Sequence, residues 1–184
     1  MMFHMWMCLL SLSFAQDAET EAVEPKLALS FGSSLLFVEQ AFVAEGLPNQ
    51  TQERVVPVPS WLLLGEYMWT PRWSSAVMLN VPLSTVRRID ENGDIYEQHS
   101  AAAVGLGAAF SPVNLSVFSQ ATFRPQVALL GGRTINDLEK NVFFPLLVSR
   151  MVLVSASGTS LYGGVAYAFQ EETFALIYGI GHRF

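Results

Sequence analysis

Apolar residues alternate with small or polar residues along most of the chain, from Lys26 to its last residue. In segment 102–110, for example, Val104, Leu106 and Phe110 occupy one set of alternate positions, and glycine or alanine fills the other. Because successive side chains of a β-strand point to opposite faces, a period of two predicts strands. We predict eight strands, at 27–37, 58–69, 73–83, 102–110, 115–123, 142–154, 161–169 and 174–184.

The connections between these strands support the assignment of faces. Asn92-Gly93 is typical of a two-residue type I′ hairpin turn, which would pair Val81 with Val104. Bulky residues would also face each other across turns at 70–72, 112–113 and 156–158 and across the connection 170–173. A one-residue error at a turn would exchange the two faces, so the five connections together favour this phasing.

The two faces differ in chemistry, and this difference predicts where each one points. One face carries bulky apolar residues, whereas the other is mostly glycine, alanine and serine. A soluble lipocalin-like barrel would turn its bulky face inward, but the small face would then be a poor solvent surface. Small side chains suit the narrow lumen of an eight-stranded barrel, and lipid requires an uncharged exterior. We therefore predict an all-β, eight-stranded antiparallel up-and-down transmembrane β-barrel.

The connections also predict an orientation. Long ones, at 39–57, 84–98 and 125–141, alternate with the tight turns, which places the tight turns in the periplasm. Aromatic residues near the strand ends predict two interfacial girdles. The periplasmic girdle would contain Tyr67, Trp69, Trp73, Phe110 and Phe184, and the outer one Trp61, Phe123, Phe169 and Phe174.

The N-terminus predicts a segment that targets the chain to the cell envelope. Met1–Phe14 is apolar, and Ser13-Phe14-Ala15 has the small-x-small form of a signal-peptide cleavage site. A buried N-terminal helix is the alternative. We predict a signal peptide at 1–15, a short periplasmic leader at 16–25 and the barrel at 26–184.

Composition narrows the function classes. The chain has 184 residues, 51% hydrophobic and 14% charged, with a net charge of −6. Acidic balance argues against nucleic-acid binding, and the apolar content argues against disorder. The longest nearly unbroken apolar stretch, Met1–Leu10, is shorter than the ~18 residues that a membrane-spanning helix needs.

The last strand carries a resemblance to a known class. The segment from Phe174 to Phe184 resembles the C-terminal insertion signal of Gram-negative outer-membrane proteins, with Tyr178, Ile180 and Phe184 matching and His182 departing. The architecture resembles small barrels of the OmpA/OmpX type. This resemblance implies export through the Sec channel, insertion by the barrel-assembly machinery and a place among outer-membrane lipid and lipopolysaccharide. We expect a monomer.

Four charged residues of the predicted strands phase into the lumen: Glu66, Arg124, Arg150 and Arg183. An interior ion pair between Glu66 and Arg150 is expected because a lone lumen charge is costly. The pair would act as a structural plug or, alternatively, as part of a conduction or gating path. Arg124 and Gln120 would extend the same network.

Three further features are weaker candidates for function. His99 and Ser100 are adjacent, so they face opposite sides of a strand, a poor geometry for a lipid A deacylase-like base and nucleophile. The segment 90–94 resembles a calcium loop but has glycine at its fourth position instead of its sixth, and it predicts a hairpin tip. Residues 127–132 suggest that strands five and six project above the membrane, where a sheet edge could bind a partner.

The sequence favours a barrel with a packed lumen and a structural or interaction role through its extracellular loops. The alternatives are an OmpW-like conduit for small apolar molecules, supported by Leu62, Leu64 and Met78 on the inner face, and a lipid A-modifying enzyme. A continuous lumen would favour the conduit, and side chains blocking it at Glu66, Arg150 and Phe118 would favour the structural role. We predict no enzymatic activity and no catalytic, cofactor-binding or metal-binding residues.

Overall fold

A computed structural model describes residues 27–44, 47–89, 94–99, 101–117, 121–135, 143–169 and 173–184. The signal peptide 1–15 and the leader 16–25 lie outside these ranges and stay predictions. The described strands are β1 (Leu27–Ala44), β2 (Leu47–Met68), β3 (Trp73–Pro82), β4 (Thr85–Ile89), β5 (Ile95–His99), β6 (Ala102–Phe110), β7 (Leu115–Ser116), β8 (Ala121–Ile135), β9 (Phe143–Ser155), β10 (Thr159–Ala168) and β11 (Thr173–Arg183).

Eight of these strands form one closed barrel. They are hydrogen-bonded in the order β6-β3-β2-β1-β11-β10-β9-β8, and β8 pairs with β6 to complete the ring. All these pairings are antiparallel. The predicted eight-stranded up-and-down barrel is therefore confirmed. In the described part of the chain, no helix is long and apolar enough to span a membrane.

The predicted faces are confirmed as well. In β2, Leu62 is 1% exposed and points into the barrel, whereas its neighbour Leu63 is 47% exposed and points outward. In β3, Met78 is buried and Val77 is exposed in the same alternation. Bulky apolar residues thus cover the outside of the barrel as predicted, whereas the lumen is lined by small residues together with larger inward side chains such as Leu62, Met78 and Phe144.

Two periplasmic turns have the predicted register. Tyr67 pairs with Ser75 around the turn at 70–72, and Leu153 pairs with Leu161 around the turn at 156–158. Gly158 has a φ of 86°, which is the left-handed conformation that this three-residue turn requires.

Two other registers differ from the prediction by two residues. Leu79 pairs with Val104, whereas the prediction paired it with Leu106. Phe174 pairs with Tyr167, whereas the prediction paired it with Phe169. The first shift has a visible cause, because β4 and β5 form a separate hairpin whose register is one residue off that of β3 and β6. Since side chains alternate with a period of two, a two-residue shift leaves every residue on its predicted face.

The fifth predicted strand, at 115–123, is wrong. The barrel strand is β8, and Phe110 pairs with Val127, so no two-residue turn forms at 112–113. Leu115–Ser116 instead folds back onto the start of β8 as the short strand β7. Pro125, Gly131 and Gly132 fall in the predicted connection 125–141, but all three lie within β8.

The displacement of this strand corrects two further predictions. Phe123 pairs with Leu153, two residues before β9 ends, so it lies at the periplasmic end and not in the outer girdle. Segment 127–132 does not project above the membrane, because it forms part of the barrel wall and Leu129 and Leu130 pair with β6. The parity of β8 is unchanged, and Arg124 still points inward as predicted.

The predicted long loop 39–57 is also corrected. Most of it continues β1 and β2, which are 18 and 22 residues long and stay paired as far as Val43 and Thr51. A transmembrane strand needs only about 9–11 residues. The hairpin therefore extends well beyond the barrel at the end opposite the tight turns.

Candidate functional site in the barrel lumen

A buried layer of polar side chains crosses the lumen near its periplasmic end. Glu66 of β2 and Arg150 of β9 form the predicted ion pair, and both side chains are buried. Gln126 of β8 joins them: its Nε2 donates to Glu66 Oε2 at 2.8 Å, and Arg150 Nε donates to its Oε1 at 2.6 Å. Ser74 Oγ also donates to Glu66 at 3.3 Å. Four strands, β2, β3, β8 and β9, are thus tied together across the barrel by charge-assisted bonds.

Tyr162 of β10 fills the space beside this layer. The Arg150 guanidinium carbon lies 5.4 Å from the centre of the Tyr162 ring, a cation–π contact. Room for the ring comes from Gly32 and Gly179, where an added Cβ would lie 2.5 and 2.6 Å from the Tyr162 hydroxyl. Together with the fully buried Leu130, these side chains close the lumen at this level.

Arg124 lies on the periplasmic side of the layer. It donates to Pro71 O and Ser111 Oγ at 3.3 and 3.2 Å, and to Met68 Sδ at 3.3 Å. None of these three partners belongs to the Glu66–Arg150 network, so the predicted extension of that network through Arg124 is not seen. Arg124 does line, together with Glu66 and Arg150, a small cavity of about 20 Å³. Arg183 lines the same cavity and points inward as predicted. Gln120 lies outside the described residues.

The outer half of the lumen is different, because it contains a large cavity of about 910 Å³. Its apolar lining includes Leu36, Leu62, Met78, Ala103, Phe144, Leu146, Ala166, Ala175 and Ile177. Two polar residues of the wall satisfy each other, since Ser34 Oγ donates to Asn80 Oδ1 at 3.0 Å. The predicted packed lumen is therefore correct for the periplasmic half and wrong for the outer half.

The β4–β5 hairpin lies over this cavity. β4 packs against β1, although β2 lies between β1 and β3 in the sheet. The hairpin must therefore lean across the barrel mouth, which places the buried Val86 in the cavity lining. Arg88 and Gln98 supply polar groups to the same lining.

Sequence reasoning found the ion pair but missed Gln126, Tyr162 and the cavity. Gln126 falls in the predicted connection 125–141, whereas the structure places it in β8. The cavity had a signal, namely alanine at the inner positions 103, 166 and 175, where larger residues would fill the lumen.

The weaker candidates lie partly outside the residues that the structure describes. His99 lies in β5, and its backbone pairs with Thr85 of β4, which is not a strand of the barrel. Ser100, Phe118 and the segment 90–93 lie outside the described residues. Within the described ranges, no group of three His, Cys, Asp or Glu residues is arranged to hold a metal ion.

The exterior defines the class of protein. Large apolar side chains stand exposed around the barrel, among them Leu29, Leu63, Val77, Leu106, Leu129, Met151, Leu161 and Ile180. Aromatic pairs collect at the tight-turn end, where the Tyr67 and Trp69 rings lie 5.2 Å apart and those of Trp73 and Phe110 lie 4.7 Å apart. An apolar band with an aromatic girdle is the surface that lipid requires. The chain is an eight-stranded transmembrane β-barrel of the outer membrane, with its tight turns on the periplasmic side.

The comparison with solved structures found similar chains. The chain is similar to Ail, the attachment invasion locus protein of Yersinia pestis, in complex with the heparin analogue sucrose octasulfate, with 11% identity and a TM-score of 0.45. It is similar to the crystal structure of Ail alone (13% identity, TM-score 0.43) and to Ail in a phospholipid bilayer nanodisc (11%, 0.45). Each comparison covers 88% of this chain and 100% of the Ail chain. No protein-family model matches the chain, and no curated protein does.

Proposed function

We propose that this outer-membrane barrel is a non-conducting protein with a structural or interaction role at its outer end. The observation that carries this proposal is the buried layer of Glu66, Gln126, Arg150 and Tyr162, which fills the lumen near the periplasm. A conduit needs a continuous path, and this layer interrupts it. The closed lumen thus favours the structural role over transport across the membrane.

The extended β1–β2 hairpin supports an outer role. The two strands that flank this hairpin in the barrel end before the hairpin tip. Strand β11 pairs with β1 only as far as Phe37, and β3 pairs with β2 only as far as Ser60. The segment beyond these points carries Glu39, Glu53 and Arg54 and is available outside the bilayer. Pro57, which has no N–H, interrupts the free edge of β2 and so discourages uncontrolled strand pairing.

An enzymatic role has less support. A lipid-modifying hydrolase would need a base, a hydroxyl nucleophile and an acid on the lipid face. His99, the base considered for that role, lies in a hairpin that is not hydrogen-bonded into the barrel wall. We therefore propose a non-enzymatic protein that acts as a monomer among lipopolysaccharide and is inserted by the barrel-assembly machinery.

Two measurements test this proposal. The purified barrel in a planar lipid bilayer should show no steady ionic current, with a porin measured in parallel as the positive control. In cells lacking the protein, restored resistance to detergent should require the full chain and should fail with a variant in which a short turn replaces residues 41–53. A steady single-channel current would contradict the closed lumen. Full rescue by the folded, shortened variant would contradict the role of the hairpin.

A further inference from the structure

The outer cavity is a feature to be explained, because in an eight-stranded barrel side chains can fill the whole interior. Its volume of about 910 Å³ lies within the range of about 300–1,000 Å³ typical of small-molecule sites. The void exists because inner positions 103, 166 and 175 carry alanine, whereas the layer below carries arginine, glutamate, glutamine and tyrosine. A structural plug would not require such a space.

The lining indicates the chemistry of the occupant. Leucine, methionine, phenylalanine and isoleucine side chains form most of the deep wall, and Ser34 and Asn80 bond to each other. Polar groups are found at the mouth, where Glu39, Arg88, Gln98 and Thr134 contribute to the lining. The site is therefore apolar in its depth and polar at its opening, which matches a molecule with a hydrocarbon part and a polar head.

The shape limits the number of hydrocarbon chains. An eight-stranded barrel is just wide enough to be filled by side chains or to hold one small ligand. The Glu66–Arg150 layer closes the cavity on the periplasmic side, so an occupant enters and leaves from the outer side or the outer leaflet. Because a barrel of eight strands is this narrow, we expect one extended hydrocarbon chain, and not several, to lie along its axis.

We propose that the outer lumen binds one hydrocarbon chain of a single-chain amphiphile, such as a long-chain fatty acid, with its polar head at the mouth beside Arg88. A carboxylate there would accept charge-assisted hydrogen bonds from the guanidinium. This inference shares only the closed floor with the proposed function. The protein would act as a receptor or store for the chain and would not carry it across the membrane.

The test uses a palmitate analogue with a photoreactive diazirine in mid-chain, added to the full barrel in lipid nanodiscs. After illumination, mass spectrometry assigns the modified residues. Labels on the inward Leu62, Met78 and Leu146 would report the cavity, and labels on the outward Leu63 and Leu79 would report bulk lipid. Excess unlabelled palmitate should remove the inner labels and leave the outer ones.

A matched pair of variants tests the location. Ala166→Phe should place a phenyl ring in the path of the chain and reduce inner labelling at least tenfold, whereas Val165→Phe, on the lipid face of the same strand, should leave it unchanged. Ala103→Leu, on another part of the wall, serves if the first variant does not fold, as judged by heat-modifiable mobility in gels.

Three outcomes would overturn the inference. The first is no labelling of inward residues in the wild type, and the second is inner labelling that excess palmitate does not reduce. The third is inner labelling as strong in folded Ala166→Phe or Ala103→Leu as in the wild type. Each is independent of the current measurement, because a non-conducting barrel can either bind or exclude a fatty acid.

Discussion

Glu66 and Arg150 depend on each other at the residue scale, because each side chain is buried where water cannot solvate its charge. Removing one partner leaves the other charge buried and unpaired, which typically costs 3–5 kcal/mol. Gln126 couples the pair to a third strand, so the barrel wall is braced from inside by a few bonds. The layer is therefore both the floor of the outer cavity and a source of stability.

Breaking this ion pair should destabilise the barrel. Glu66→Gln and Arg150→Met should each lower the free energy of unfolding by about 3 kcal/mol, measured by urea titration in lipid vesicles. The double variant should lose much less than the sum, because it leaves no unpaired charge. Additive losses would show that the two side chains do not interact.

Two glycines on β10 and β11 make a matched test of the packing around Tyr162. A Cβ at Gly179 would lie 2.4 Å from the Phe31 carbonyl oxygen and 2.6 Å from the Tyr162 hydroxyl, whereas a Cβ at Gly163 meets nothing within 4 Å. Gly179→Val should therefore unfold at clearly lower urea than the wild type, by at least about 2 kcal/mol. Gly163→Val should remain within about 0.5 kcal/mol. Equal effects at the two sites would contradict the tight lumen packing.

At the element scale, the turn between β9 and β10 fixes the register of one hairpin. Gly158 is left-handed, and a Cβ there would lie 2.6 Å from the Arg183 carbonyl oxygen. Gly158→Ala should cost about 1–2 kcal/mol from backbone strain alone and more if β11 must move. Ala156→Ser, at an exposed position of the same turn, is the control. Unchanged stability and refolding rate in Gly158→Ala would contradict the turn geometry.

Most strand faces could be predicted because each depends on local alternation, as in Gly105 and Leu106 of β6. Registers were harder, because a two-residue shift such as that of Val104 keeps the faces and leaves no trace in the pattern. The position of β8 could not be predicted from turn signals. Pro125 lies in β8 between Arg124 and Gln126, opposite Met151 of β9, and it is tolerated despite lacking an N–H.

The candidate site was predictable only in part. Glu66 and Arg150 were the evident charges at inward positions, and opposite charges near one level of a lumen pair readily. Predicting Gln126 as a lumen residue required the correct position of β8. Predicting that the β4–β5 hairpin leans over the mouth required the contact between β4 and β1. The cavity results from small inward residues on several strands, so no single alanine indicates it.

The whole molecule places its apolar surface against lipid, and a charge on that surface should be costly. Leu106 is 64% exposed in the middle of β6. Leu106→Arg should lower stability in vesicles by about 2–4 kcal/mol, the penalty for a cation at the bilayer midplane. Leu106→Ile is the control, and the free energy of unfolding in lipid is the measurement. A harmless arginine would indicate that this face contacts water or another protein.

The central claim is that each strand turns its predicted outer face, with the exposed bulky apolar residues, to lipid and its other face to the lumen. Single nitroxide labels along β2 from Trp61 to Met68, in lipid vesicles, test it most directly through their accessibility to oxygen, which concentrates in the bilayer. High accessibility at 61, 63, 65 and 67 and low accessibility at 62, 64, 66 and 68 is the predicted result. The reverse alternation, or no alternation, would contradict the account.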